Sequence, residues 1–94
     1  MKTITAIFLA ALLTVVCATQ RLEGRRIGLQ EQGFPPAYID GNIDGCNSGS
    51  AASGATSYKF TKNVVRFDAD SQYRQGWTDG YNFCKADSDR VMRR

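Results

Sequence analysis

YIDGNIDGCNSG, residues 38–49, carries acid or amide side chains at alternate positions and glycines at every fourth, and the two spacings imply different folds. Taken as a calcium loop, Asp40, Asn42 and Asp44 supply oxygen ligands at the first, third and fifth positions, and Gly45 supplies the turn. That pattern then breaks down. Asn47 stands where an aliphatic anchor belongs, and Ala51 where a bidentate glutamate is required. Taken as helix, Tyr38, Gly41 and Gly45 lie on one face, and Gly49 extends the stripe by a further turn.

A second copy decides between them. Tyr38-x-x-Gly41-x-x-Asp44-Gly45 recurs as Tyr73-x-x-Gly76-x-x-Asp79-Gly80, where Gln75 and Trp77 replace the first two presumptive ligands. The repeated property is therefore helical geometry: Tyr73, Gly76 and Gly80 share a face that Cys84 extends. Glycine costs about 1 kcal/mol relative to alanine inside a helix, so a stripe of glycines needs a compensating contact. Close approach of another backbone is such a contact, and Gly41, Gly45, Gly76 and Gly80 are the expected helix-packing positions. The competing reading makes residues 38–50 a coil of turn glycines pinned by a disulfide. Helix signals are denser around the second copy: Asp68, Asp70 and Ser71 can cap it, Lys85 suits its far end, and Tyr73, Trp77, Gly80 and Cys84 form one stripe. For the first copy, Pro35 or Pro36 suits an initial helical turn. Tyr38, Tyr73, Trp77 and Tyr81 are the expected core or interaction aromatics.

The chain begins with Lys2 and an apolar run from Ile4 to Val16 broken only by Thr5 and Thr14, then small residues. This is the pattern of a signal peptide, shorter than the roughly 20 apolar residues that span a bilayer. Cleavage after Ala18 leaves 76 of the 94 residues; a lipobox reading of residues 13–17 acylates Cys17 instead. Either way two cysteines remain, Cys46 and Cys84, and in an oxidising compartment they imply one disulfide. A domain this small buries only about 60% of its unfolded surface, so a cross-link worth on the order of 3 to 4 kcal/mol is expected to decide folding.

The helices constrain the bridge. In a simple antiparallel hairpin Cys46 would face a residue near Arg74, about 15 Å along the helix from Cys84. Bridged cysteines need Cα atoms within about 7 Å, so the first helix must stop early or the pair must cross steeply near Gly45 and Gly80. Residues 50–57, SAASGATS, are expected to connect flexibly. Phe60, Val64 and Phe67 share a helical spacing, while Thr61, Val64 and Val65 favour a strand; a short helix is expected over 58–67.

The mature charge is +2, eleven bases against nine acids, too weak a bias to indicate nucleic acid or membrane. Histidine is absent, and with it the commonest general base and zinc ligand. No nucleophile elbow and no phosphate-binding glycine loop with its lysine occurs. Asp40, Asp44 and Asp79 could form a carboxylate pair of the glycosidase kind, but beside glycines they fit solvated or hydrogen-bonded roles better. Neither an enzyme nor a cofactor is expected.

DGCNSG, an FTK segment and then YRQGWTDGYNFCK resemble small uncharacterised secreted or lipoprotein-like proteins of Gram-negative envelopes, over residues 38–85. The resemblance implies an envelope location and a paired-cysteine helical domain, and carries no activity.

The expected organisation is a signal peptide (1–18), a flexible arm (19–33), a disulfide-linked helical domain (34–86) and a charged tail (87–94). The fold expected is mainly α, a small single domain of two or three short helices with Gly-rich faces, stapled from Cys46 to Cys84. The function expected is a non-enzymatic secreted, periplasmic or envelope module docking on a protein partner through its aromatic and glycine-rich face. Nucleic acid is excluded as a partner, and membrane enters only if Cys17 is lipidated. The alternatives are a small-ligand or calcium module using Asp40, Asn42 and Asp44, and a small secreted toxin or inhibitor.

Overall fold

A computed structural model describes residues 20–92, so the signal-peptide reading of 1–18, Cys17 with its lipidation, and the end of the tail lie outside the described residues. The fold is mainly α, a small single domain stapled by one disulfide. Among the described residues it has four helices and no strand. They are α1 over 20–31, α2 (Pro36–Ala52), α3 (Val64–Ala69) and α4 (Ser71–Met92).

The glycine stripes are the centre of the molecule. A methyl group added at Gly41 would land on the Tyr73 carbonyl, at Gly45 on that of Trp77, and at Gly49 on that of Tyr81. Reciprocally, one at Gly76 would land on the Tyr38 carbonyl and one at Gly80 on that of Asn42. Residue numbers rise together along both helices, so α2 and α4 run parallel. Gly41 meets Tyr73 O and Trp77 N as Gly76 meets Tyr38 O and Asn42 N, which makes the pair nearly two-fold symmetric with the repeat as its unit. The absence of Cβ atoms lets backbone approach backbone and brings Cα–H groups toward facing carbonyls.

This corrects the expected pairing. An early stop or a steep crossing is required only of an antiparallel hairpin, and the pair is parallel. In the parallel register Cys46 and Cys84 meet side by side, with Cα atoms 5.0 Å apart. Cys84 takes the place in α4 that Gly49 takes in α2, so this turn exchanges one glycine contact for the bridge.

Local signals set the helix ends. Pro36 opens α2 with Pro35 as its cap residue. α2 closes in a Schellman arrangement: Gly54 sits at φ 94°, with Gly54 N donating to Ala51 O and Ala55 N to Ser50 O. α1 ends the same way at Gly33 (φ 83°), Gly33 N donating to Gln30 O and Phe34 N to Leu29 O. Asn63 caps α3 by accepting from Arg66 N, and Asp70 caps α4 by accepting from the amides of Gln72 and Tyr73.

A parallel pair requires the chain to travel back along its own length between helices, and residues 53–70 do so. The return is held by side chains rather than by a sheet. Asn47 Oδ1 accepts from Lys59 N (2.8 Å), the buried Ser48 hydroxyl accepts from Thr61 N (2.7 Å), and Trp77 Nε1 donates to Thr61 O (2.9 Å). Tyr73 OH then accepts from Asn63 N at 3.0 Å.

Three boundaries differ from expectation. Helix α1 replaces the flexible arm, running antiparallel to α2 with Arg26 Nη1 3.0 Å from Asp40. Only 64–67 of the 58–67 segment is helical, because the backbone of 58–63 is committed to the side chains of α2 and α4. Residues 87–92, expected as a charged tail, continue α4, supported by Lys85–Asp89 (2.9 Å) and Asp87–Arg90 (3.0 Å) pairs along its surface.

Candidate functional site

The repeated tyrosine and aspartate have reciprocal roles. Tyr38 OH donates to Asp79 Oδ2 (2.8 Å), and Tyr73 OH donates to Asp44 Oδ2 (2.7 Å), so each copy's phenol reaches the other copy's carboxylate. All four invariant letters of Y-x-x-G-x-x-D-G thus serve the helix pair. The two bonds lie in different surroundings. Tyr73 is fully buried with Arg66 Cζ 4.6 Å from its ring centroid, whereas the Tyr38–Asp79 bond lies at the surface.

Burial, and then the bond to Asp44, push the Tyr73 phenol up from 10.0 to about 12. A raised phenol pKa means that the fold holds the proton more tightly than the unfolded chain does. Its contribution is fully present below pH 10 and is lost as pH rises toward about 12. Tyr73→Phe leaves the Asp44 carboxylate and the Asn63 amide without this partner, and should cost about 1.5–3 kcal/mol at neutral pH. Tyr38→Phe should cost under about 1 kcal/mol, because water replaces the lost bond. Urea titrations across pH 8–12 check both: the alkaline fall in wild-type stability should flatten in Tyr73→Phe.

The carboxylates and amide singled out for calcium are separated by the helix. Asp40 is clasped by Arg26 (3.0 Å) and Arg66 (3.3 Å), Asn42 accepts from Arg25 Nε (2.6 Å), and Asp44 accepts from Tyr73. Alternate positions diverge around a helix, so the structure does not gather these three side chains. Among the described residues no group of three His, Cys, Asp or Glu side chains is placed to hold a metal.

Trp77 anchors the aromatic residues. It stacks on Tyr81 (4.9 Å) and meets Phe60 (6.0 Å) and Phe67 (5.6 Å) edge-on, with Lys62 Nζ 4.5 Å from its ring centroid. Tyr38 instead stacks on Phe34 at 4.7 Å. Gly41, Gly45, Gly76, Gly80, Tyr73 and Trp77 are all buried within the domain. The glycine-rich face expected to receive a partner is consumed by the helix pair itself. Apolar surface is left to solvent along the return segment, where Phe60, Val64 and Val65 are 60%, 60% and 78% exposed, and again on α4 at Phe83 and Val91.

Scans against protein-family models, curated proteins and solved structures give no match to the chain. The functional reading therefore rests on geometry. Sequence reasoning missed Ser48, whose hydroxyl holds the return segment, and the arginines Arg25, Arg26 and Arg66. The available signal for Ser48 was its place one turn beyond Asp44, on the face next to the glycines.

Proposed function

We propose that the protein is an exported, non-enzymatic interaction module of the cell envelope, presenting the Phe60–Val65 segment to a protein partner. One observation supports this most directly. The polar side chains with reactive potential, Asp40, Asp44, Asp79, Tyr38 and Tyr73, are engaged in bonds between elements of the fold, while three large apolar side chains of the return segment face water. The buried disulfide is compatible with an exported location, and no described helix is long and apolar enough to cross a membrane. The amino-terminal signal pattern and the resemblance to envelope proteins point the same way.

Photo-crosslinking tests the reading. A photoreactive side chain at Val65, in the chain expressed with its leader, should give one discrete adduct in the exported fraction. Excess purified oxidised domain should compete it away, and Phe60→Asp should abolish it. The same probe at Gly24, on α1, should give none. Equal adducts from both positions, or a chain found reduced and unprocessed inside the cell, would refute the proposal. Calorimetric titration with calcium should show no saturable heat, whereas micromolar binding would restore the metal reading.

A further inference from the structure

A cleft of about 380 Å³ opens between α1 and the carboxyl-terminal halves of α2 and α4. Its volume falls within the range of about 300–1,000 Å³ typical of small-molecule sites. One part of its wall is apolar: Phe83, Val91 and the Cys46–Cys84 bridge. Phe83 and Val91 are large apolar side chains left facing water, at 59% and 68% exposure. The other part is cationic, with Arg21 and Arg25 one turn apart on α1.

The charge on this wall is unbalanced. Arg25 donates through Nε to the neutral amide oxygen of Asn42 (2.6 Å), and its guanidinium carbon lies 5.1 Å from the Phe83 ring centroid. Among the described residues no carboxylate lies within ion-pairing distance of Arg25 or Arg21. The neighbouring Arg26, by contrast, has Asp40 at 3.0 Å and Glu23 at 4.0 Å. Asp87, the acid on the cleft wall, is engaged by Arg90 at 3.0 Å. A partly buried guanidinium without a counter-ion is unfavourable, and burial pushes the Arg25 pKa below its ordinary value, with Tyr38 opposing.

We infer that this cleft binds a small anionic amphiphile, its oxyanion head paired with Arg25 and Arg21 and its apolar body lying against Phe83, Val91 and the disulfide. The head supplies the missing counter-charge through charge-assisted hydrogen bonds, which a fork-shaped guanidinium makes well. The body covers the exposed side chains. At about 30 Å³ per water-sized group, the cleft has room for about a dozen non-hydrogen atoms, the size of a carboxylate on a medium-length acyl chain. The site uses none of residues 60–65, so it stands or falls separately from the partner-docking surface.

Decanoate is the probe, titrated below its aggregation concentration into the oxidised protein as purified from the exported fraction and followed by calorimetry and amide chemical shifts. One equivalent should bind, with shifts centred on α1 and residues 83–91, and decanol should bind about tenfold or more weakly. Arg21→Gln alters an exposed arginine that has no hydrogen-bond or ion-pair partner among the described residues, so it should keep the wild-type circular dichroism while weakening decanoate about tenfold. Phe83→Ala should weaken decanoate and decanol alike. Vesicles of anionic phospholipid distinguish the source: uptake sensitive to Arg21→Gln identifies a lipid in a bilayer, and decanoate binding without vesicle uptake identifies a free amphiphile. Decanoate and decanol binding equally, Arg21→Gln binding as wild type, or the absence of saturable binding would each overturn the assignment.

Discussion

Gly45→Ala should destabilise the domain by about 2–3 kcal/mol, lowering its melting temperature by about 10–20 °C, although alanine is the better helix former by about 1 kcal/mol. The added methyl would meet the Trp77 carbonyl and lie 2.9 Å from Trp77 Cα. Both obstacles are backbone, so no rotamer change can relieve them and the two helices must separate. Separation also weakens the contacts at Gly41, Gly49, Gly76 and Gly80, which share the interface, and stretches the part-buried Tyr73–Asp44 bond. The loss therefore exceeds the propensity gain. Gly80→Ala, the symmetry mate, should behave alike. Gly24 on α1 has nothing within 4 Å of an added methyl, so Gly24→Ala should instead stabilise by about 0.5–1 kcal/mol. Opposite signs for one chemical change, measured by thermal and urea melts, distinguish packing from propensity. A Gly45→Ala domain as stable as the wild type would remove the close-packed pair from the explanation of this fold.

The stripe itself was legible in the sequence because glycine is costly in a helix and the same spacing occurs twice. The direction of pairing was encoded too, in a quantity easily passed over. The two copies are offset by 35 residues and the cysteines by 38. A parallel pair in register equates residues 35 apart, which places Cys46 within one turn of Cys84. The offset thus points to parallel helices before any geometry is known. Helix α1 was hidden for a different reason. Leu22, Arg25, Arg26 and Leu29 form its inward stripe, but two of these are arginines that face Asn42, Asp40 and Phe83, so no apolar period appears. Its stop signal, Gly33 followed by Pro35, was the readable part. The carboxyl-terminal turns of α4 rest on surface ion pairs, which leave no hydrophobic pattern either. Of the candidate site, the aromatics and bridge were visible. The tyrosine–aspartate exchange was not, since which carboxylate a phenol reaches depends on that same parallel register.

Replacing both cysteines with alanine should cost about 3–4 kcal/mol, a fall of about 15–25 °C in melting temperature, and should also reduce helicity before global unfolding. The first figure follows from loop closure over a sequence separation of 38. The second follows from the unequal strength of the two helices. α2 contains Gly41, Gly45 and Gly49 and has no side-chain cap at its amino terminus, so in isolation it is a poor helix held in shape by α4. α4 has the Asp70 cap and its own surface ion pairs. Once the clasp between their carboxyl-terminal halves is removed, the end of α2 near Gly49 and Ser50 should open first, exposing amides that the oxidised domain protects. Hydrogen exchange should therefore accelerate in residues 46–52 more than in 71–80, while the Trp77 environment persists until the main transition. Both sulfur atoms belong to buried residues, so mild reductant should act slowly on the native protein and quickly once it is warmed toward its transition. If the cysteine-free domain melts within about 5 °C of the oxidised one, glycine packing alone closes the pair and the bridge is only a local ornament of it. The marginal burial available to so short a chain argues against that outcome.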